Sequence, residues 1–128
     1  DDVVITATPE LANLRNTKNL IDTLKKLRPN DGPPKLVINQ AGIPKRPEIA
    51  SEDFADALGI EPLAVVPFDP ALFGNAANNG RMLGETDAQS AVVRMIDEIA
   101  HVLTGRAEIK SKKKQGLSDL ISKLKLRK

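Results

Sequence analysis

The sequence predicts an α/β protein in which three parallel strands form one sheet and helices connect them. Three short apolar runs, residues 3–8, 35–39 and 63–66, are each bounded by turn residues, as buried strands are. Amphipathic stretches with helical spacing follow each run, so strand and helix alternate along the chain. This alternation is typical of βαβ units with right-handed crossovers. The length of 128 residues suits one domain.

The first strand, residues 3–8, is rich in β-branched residues, as expected for a parallel sheet covered on both faces. Thr8, Pro9 and Glu10 predict the start of the first helix, as N-cap, first helical residue and first-turn acid respectively. The stretch RPNDGPP ends this helix. Its predicted apolar face consists of Leu11, Leu14, Ile21 and Leu24, with Leu20 and Leu27 beside it.

The second strand, residues 35–39, ends in Asn39 and is followed by the loop AGIPKRP. Ser51 is the predicted N-cap of a short helix with an apolar face, and Gly59 is its predicted C-terminal residue. That apolar face consists of Phe54, Ala57 and Leu58.

The third strand, residues 63–66, runs into the stretch PFDP. Asp69 and Pro70 predict the N-cap and first residue of a helix that closes near NNG. Thr86 or Asp87 is predicted to open the last helix of the body, which Gly105 ends. Its predicted apolar face consists of Ala88, Val92, Met95, Ile96, Ile99 and Leu103.

Charge divides the chain into two parts. Residues 107–128 carry eight Lys or Arg against two acidic residues, whereas residues 1–106 carry eleven against fifteen. The excess of basic residues therefore belongs to a tail and not to the body. We expect a globular body over residues 1–106 and, over residues 107–128, a basic linker with a short amphipathic helix. No run is long enough for a membrane-spanning helix.

The residues show no catalytic constellation. Cysteine is absent, which excludes thiolate catalysis and disulfides and fits a reducing compartment. His101, the single histidine, follows Asp97 by one helical turn, so we expect a solvated helix residue beside a carboxylate. No Gly-rich phosphate loop is present, and no ligand spacing predicts a metal site.

Polar or turn residues follow all three strands, at TPE, NQ and PFDP. In a parallel sheet these strand ends meet at the carboxyl edge, where ligands of open α/β sheets bind. Capping alone explains Thr8, Pro9 and Asp69. Asn39 is less easily explained, because a buried amide needs hydrogen-bond partners, although Asn at a strand end often bonds its own loop.

Three stretches, in order, resemble MinD/ParA-type ATPases. DDVVITATPELANLRNTKNLID is similar to the strand and helix after the second nucleotide-switch region, and LVINQ to the strand ending in Asn. PLAVVPFDPALFGNAANNGRMLGE is similar to the segment hhPxDxxhxxAxNxGxxh, in which h is hydrophobic. The resemblance covers residues 1–106. Within the family, PELANLRN, PFDPALFGNAANNG and the basic Leu-rich end look most like the CpaE/TadZ pilus-assembly ATPases of Flp/Tad-type pili.

The resemblance implies a role for five residues. It implies that Asn39 hydrogen-bonds the adenine edge, and an Asn amide offers the donor and acceptor that this edge requires. It implies that the backbone at Pro67, Phe68 and Asp69 lines the other side of the base. It also implies that Glu10 reaches the nucleotide ribose across a dimer interface.

The chain departs from the family pattern in two respects. Gln40 stands where the family usually has Arg, so a charged contact there is not implied. The P-loop, its lysines and the Mg²⁺ carboxylates belong to a half that would precede Asp1, as would the receiver-like domain of the CpaE/TadZ group. The chain also lacks an initiator Met and enters an apolar run after two residues. We therefore expect a fragment whose intact parent binds ATP and Mg²⁺, and which is inactive alone.

The resemblance implies a cytoplasmic protein whose partners are a second copy or the N-terminal half, together with pilus-assembly proteins. A chromosome- or plasmid-partitioning ATPase is the alternative in the same fold. The acidic body and the small number of aromatic residues argue against a nucleic-acid partner. A receiver-like interaction module that binds no nucleotide is the alternative from another class. A P-loop encoded upstream of Asp1 favours an ATPase, and a start codon just before it favours the module.

The tail combines an apolar stripe with basic residues. Leu117, Leu120, Ile121 and Leu124 fall at helical spacing, and Lys112, Lys113 and Lys114 precede them. This pattern predicts docking on an anionic membrane surface or on a partner, and hence peripheral attachment to the inner membrane. MinD proteins carry such a C-terminal helix. For the isolated chain in water we expect a solvated basic tail, because so short a helix is marginal.

Overall fold

The computed structural model describes residues 2–105, within which strands and helices follow one another in the predicted order. The elements are β1 (Val4–Ala7), α1 (Leu11–Leu27), β2 (Lys35–Ala41), α2 (Ser51–Leu58), β3 (Pro62–Pro67), α3 (Pro70–Asn78), α4 (Leu83–Thr86) and α5 (Ala91–Thr104). The short helix α4 is the one element of this part of the chain that the sequence pattern did not predict.

The three strands form one parallel sheet in the order β1-β2-β3, which confirms the predicted α/β fold class. Val4 aligns with Lys35, and Val37 aligns with Ala64. The register between β2 and β3 shifts after Ile38, so the last residues of β2 leave the regular ladder before Ala41 rejoins it opposite Pro67. Gln40, with a left-handed φ of 54°, lies in this irregular stretch.

One core layer lies between the sheet and the helices α1 and α2. Ile21 of α1 and Phe54 of α2 are fully buried there, against Leu36 and Ile38 of β2. Thr17 is also buried in α1. Burying an aromatic ring and several aliphatic side chains in one layer supplies most of the energy that holds these helices on the sheet.

The opposite face of the sheet is covered by α5. Val37 and Val66 pack there against Val92, with Met95 and Ile99 partly buried beside them. At β1 this face is not covered by any described element, since Val4 and Thr6 are exposed while Ile5 is buried on the other side. The expectation of strands covered on both faces therefore holds for β2 and not for β1.

The predicted start of the first helix is wrong by two residues. The chain bends at Pro9 and Glu10, and Glu10 itself is extended, with φ −126° and ψ 155°, so Glu10 is the N-cap and not a first-turn residue. Pro9 is buried and its carbonyl accepts the Ile49 N–H at 2.9 Å, a contact that keeps residues 8–10 out of the helix. Thr8 consequently lies too far upstream to cap the helix.

The predicted apolar face of α1 is only partly correct. Ile21 is buried, with Leu14 and Leu24 packed against the core. The other three leucines of the prediction are exposed, because the body gives them nothing to pack against: Leu11, Leu20 and Leu27.

The other helix starts also differ from the prediction. Ser51 is the first residue of α2 and Ala50 is its N-cap. Neither Thr86 nor Asp87 opens the last helix, because α4 takes up Thr86 and the chain then turns before Ser90. Ser90 caps α5, its Oγ accepting the Val93 N–H at 3.1 Å. Ala88 therefore precedes the helix and is not part of its face.

The predicted helix ends at Gly59 and Gly105 are confirmed, since both glycines have a φ of 65°. On α5 the predicted stripe holds for Val92, Met95 and Ile99. Among the described residues, no helix has the length and apolar character needed to cross a membrane. The predicted tail, with its apolar stripe and lysines, lies outside the described residues.

Candidate functional site

The carboxyl ends of β2 and β3 enclose a small pocket of about 170 Å³. Asn39, the polar residue that ends the apolar run of β2, lies on one side, and the β3–α3 junction forms the other. This arrangement arises because both strands are parallel and end at the same edge of the sheet. The pocket is lined by Asn39, Gln40, Pro67, Phe68, Asp69, Pro70 and Phe73.

The Asn39 amide is held by the residue that follows it. Its Oδ1 accepts the Gln40 N–H at 2.9 Å, which identifies the oxygen of the amide and fixes its orientation. Within residues 2–105, Nδ2 makes no hydrogen bond, although the side chain is half-buried. Asn39 thus presents two N–H donors and a second Oδ1 lone pair from a fixed position at the pocket. The bond between Asn39 and its own loop, which was the alternative explanation for this residue, is therefore present. It leaves both N–H donors of Nδ2 unused.

Aromatic and proline side chains give the pocket its apolar surface. Phe68 and Phe73 are each more than one-third exposed, at 36% and 37%, so both rings have a free surface that a flat ligand can cover. The Phe68 N–H donates to the Ala41 carbonyl at 2.8 Å, which ties the end of β3 to the end of β2. Flat rings beside an oriented amide are suited to a planar heterocycle.

Asp69 is the N-cap of α3, as the sequence predicted. Its Oδ1 accepts the Leu72 N–H at 2.9 Å, and Pro70 occupies the first turn. The side chain of Asp69 is thus occupied in capping the helix, and it contributes to the pocket only as part of its wall.

Glu10 does not line this pocket. Its Oε1 accepts the Thr8 hydroxyl at 3.3 Å and pairs with Nη1 of Arg46 at 3.0 Å. In the described part of the chain, Oε2 has no hydrogen-bond partner. The structure thus brings four of the five predicted site residues together and places the fifth at the neighbouring strand end, in contact with the loop that follows β2.

That loop is closed by Glu48. The Glu48 carboxylate accepts the N–H groups of Gly42 and Ile43 at 2.8 and 2.9 Å and pairs with Nη2 of Arg46 at 2.6 Å. The hydrogen bond from Gly42, together with those from Arg46 and Ile43, lowers the pKa of Glu48 because each favours the charged carboxylate. The loop is thus fixed by an internal anion.

A hollow of about 350 Å³ lies at the opposite edge of the sheet, between the end of α1 and residues 28–34. It is larger than the Asn39 pocket, but three of the four charged residues that line it are already paired, Arg28 with Asp31 and Asp2 with Lys35, which leaves Lys25. The Asn39 pocket has unused donors and lies at the edge where ligands bind in such folds, so it is the candidate site.

The residues of the pocket fit the adenine base of ATP and do not fit Mg²⁺. An oriented amide and two exposed rings suit a flat, polar-edged base. Over residues 2–105 there is no group of three or more His, Cys, Asp or Glu that could hold a metal ion.

Gln40, Phe73, Arg46 and Glu48 take part in the site or its support but were not predicted. Phe73 follows Asp69 by four residues, so helical spacing alone could have placed it at the pocket. Gln40 has a φ of 54°. This left-handed conformation is rare outside Gly and Asn, and no sequence signal marks it.

The folded chain is similar to solved structures of P-loop ATPases of the MinD and ParA type. No family model matches the sequence, and no curated protein matches it. The MinC:MinD cell division protein complex of Aquifex aeolicus has a TM-score of 0.67 and 22% identity, over 84% of this chain and 44% of that one. The septum site-determining protein MinD of Pyrococcus horikoshii, complexed with Mg-ADP, has a TM-score of 0.67 and 24% identity, over 87% and 44%. A ParA family ATPase from Chlorobium tepidum has a TM-score of 0.66 and 20% identity, over 79% and 42%.

These similarities establish the fold. The chain has the architecture of part of a MinD-like P-loop NTPase domain, with three parallel strands. It spans less than half the length of the structures it matches.

Proposed function

We propose that this chain supplies the adenine-binding half of the nucleotide site in a MinD/ParA-type ATPase. The observation that carries the proposal is the meeting of Asn39 with residues 67–69 in one pocket at the carboxyl edge of a MinD-like sheet. One of the similar structures holds Mg-ADP, which supports a magnesium nucleotide as the ligand of the intact parent protein.

In this function, Asn39 donates from Nδ2 to a ring nitrogen of adenine, and its Oδ1 accepts from the exocyclic amine. The rings of Phe68 and Phe73 exclude water from the base. Glu10 offers its unpaired Oε2 to a ribose hydroxyl of a nucleotide in a second protomer. Phosphate binding and Mg²⁺ coordination, which carry most of the catalysis in phosphoryl transfer, belong to a P-loop half that pairs with this chain. This chain alone does not hydrolyse ATP.

The parent is a CpaE/TadZ-like factor for the assembly and localisation of Flp/Tad-type pili. The motifs PELANLRN and PFDPALFGNAANNG and the basic Leu-rich end support this assignment. Its partners are pilus-assembly proteins and a second copy of itself, and it is cytoplasmic with peripheral attachment to the inner membrane. A partitioning ATPase would be favoured by a basic surface that binds DNA, but the body carries eleven basic against fifteen acidic residues.

Adenosine monophosphate and ribose 5-phosphate together test base recognition in the 128-residue chain. We expect AMP at millimolar concentration to shift the NMR signals of the Asn39 side-chain amide and of residues 67–73, whereas ribose 5-phosphate does not. Asn39→Ala should weaken AMP binding by about fivefold to a hundredfold, because a lost hydrogen bond that leaves a partner unpaired costs about 1–3 kcal/mol.

The matched control is Asn79→Ala, which removes an exposed amide at the end of α3, bonded to the Asn75 carbonyl and remote from the base. Equal AMP affinity in the two variants, or equal responses to AMP and ribose 5-phosphate, would contradict the proposal. In the intact parent, Asn39→Ala should weaken ATP binding more than it weakens the binding of inorganic triphosphate.

A further inference from the structure

The end of β2 and the loop after it each contain a residue with strained, left-handed backbone, and the first of these residues follows the candidate base-reading amide directly. Gln40 has a φ of 54° and Lys45 a φ of 63°, and neither is glycine. Left-handed backbone is strained for a residue other than glycine, so surrounding contacts must hold it. The Gln40 N–H donates to Oδ1 of Asn39 at 2.9 Å. The orientation of the amide therefore depends on the backbone of the next residue.

Arg46 holds that backbone in place. Its Nη2 donates to the Gln40 carbonyl at 2.5 Å and pairs with Glu48 at 2.6 Å, while Nη1 pairs with Glu10 at 3.0 Å. The side chain is well shielded, with 17% of its surface exposed. A guanidinium can serve three acceptors at fixed angles because it is planar and carries five donors, which a lysine cannot reproduce.

Arg46 does not line the pocket, yet it is joined to both groups that the proposed function uses. Nη2 bonds the Gln40 carbonyl, and the N–H of Gln40 in turn bonds Asn39. Nη1 pairs with Oε1 of Glu10, which leaves Oε2 available. We infer that Arg46 is a positioning residue of the nucleotide site: its bond to the Gln40 carbonyl holds in place the left-handed residue whose N–H orients the Asn39 amide, and its ion pair holds Glu10 in the same network. This inference rests on the proposed function.

The test uses Arg46→Gln and Arg46→Lys in the 128-residue chain, with Arg28→Gln as the control. Arg28 pairs with Asp31 at the opposite edge of the sheet, so its removal also breaks one ion pair. We expect both Arg46 variants to raise the AMP dissociation constant about tenfold and to leave ribose 5-phosphate unaffected, with the control unchanged. In the Arg46 variants the Gln40 amide should exchange with solvent at least tenfold faster, and the Asn39 side-chain signals should move.

A glycine at position 40 separates positioning from general stability. Glycine adopts a positive φ without strain, so Gln40→Gly combined with Arg46→Gln should bind AMP within about threefold of Gln40→Gly alone. The inference is overturned if Arg46→Gln binds AMP as the wild type does. It is also overturned if the double variant binds as weakly as Arg46→Gln while Gln40→Gly alone binds normally.

Failure of the proposed function gives a different result. In that case the wild-type chain does not distinguish AMP from ribose 5-phosphate. The positioning role is then judged from the NMR signals of Gln40 and Asn39 alone. If Arg46→Gln changes these signals and the added Gln40→Gly substitution reverses the change, the role is supported. If Arg46→Gln leaves the signals unchanged, the role is overturned.

Discussion

At the scale of single residues, the polar groups at the strand ends divide into those whose partner is a sequence neighbour and those whose partner is not. Asp69 caps the helix that begins one residue later, and Asn39 bonds the next residue, so both contacts could be predicted from the sequence. The contacts of Arg46 with Glu10 and Gln40 depend on the loop after β2 turning back to the end of β2 and to the end of β1. No local pattern encodes that return path.

Glu48 gives the loop a dependence on pH. Its hydrogen bonds from Gly42, Arg46 and Ile43 lower its pKa in the folded chain below the ordinary value of 4.5. A carboxyl whose pKa is lowered by folding stabilises the fold above its unfolded pKa, and this contribution is lost as the pH falls through its folded value. We expect Glu48→Gln to be less stable than the wild type at neutral pH, with the difference shrinking below pH 4.5, as measured by urea unfolding across a pH series.

The control for this prediction is Glu61→Gln, which removes an exposed carboxylate just before β3 and should follow the wild-type curve. A stability difference between Glu48→Gln and the wild type that stays constant down to the acid limit would show that the charge of Glu48 does not contribute.

At the scale of elements, the sequence predicted the helix ends better than the helix starts. A glycine with a positive φ is a single unambiguous stop, which is why Gly59 and Gly105 were placed correctly. Before α5, the stretch ETDAQS offers several competing caps. Packing decides in favour of Ser90, since a start at Ala91 brings Val92 onto the sheet. The start of α1 was missed for a tertiary reason, the bond from the Ile49 N–H to the Pro9 carbonyl.

The tail is the element for which only the sequence gives an expectation. Each Lys or Arg near an anionic surface adds about 1 kcal/mol of attraction, and residues 107–128 contain eight of them beside an apolar stripe. We expect the whole chain to co-sediment with vesicles of anionic lipid, and a chain ending at residue 106 not to. Leu120→Asp with Ile121→Asp should reduce this binding if the stripe enters the interface.

Two outcomes of the vesicle experiment would change the view of the tail. Binding that is unaffected by the two aspartates means that charge alone attracts the tail to lipid. Binding that survives removal of residues 107–128 means that the tail is not the membrane element. A short duplex DNA that binds the whole chain in place of lipid would identify nucleic acid as the ligand of the basic residues.

At the scale of the whole molecule, alternation of strand and helix was enough to predict the class and topology, because βαβ units leave few ways to connect parallel strands. It could not predict which faces of the sheet are covered. That depends on where α5 lies, and α5 packs against β3 and leaves β1 open on one side. The similar structures are more than twice as long as this chain. An open face and an open edge at β1 are what we expect of a chain that has the fold of only part of such a domain.

The open edge of β1 can be located atom by atom. The Lys35 N–H donates to the Val3 carbonyl at 2.8 Å, so Val3 directs its carbonyl towards β2. Since successive residues of a strand direct their N–H and C=O groups to opposite sides, Val4 and Thr6 direct theirs away from β2. No described residue continues the sheet beyond this edge, because β1 is the first strand in the order β1-β2-β3.

Unpaired backbone groups on an apolar edge strand favour pairing with another chain, and a charged side chain on that strand opposes it. We therefore expect the 128-residue chain to associate with rising concentration in sedimentation velocity experiments, either with itself or with the remaining half of its domain when that is supplied. Val4→Lys should shift it towards the monomer. Leu27→Lys, which replaces an exposed apolar residue at the end of α1, should associate as the wild type does. A wild-type chain that stays monomeric at high concentration, with the amides of Val4 and Thr6 protected from hydrogen exchange, would rule out the open edge.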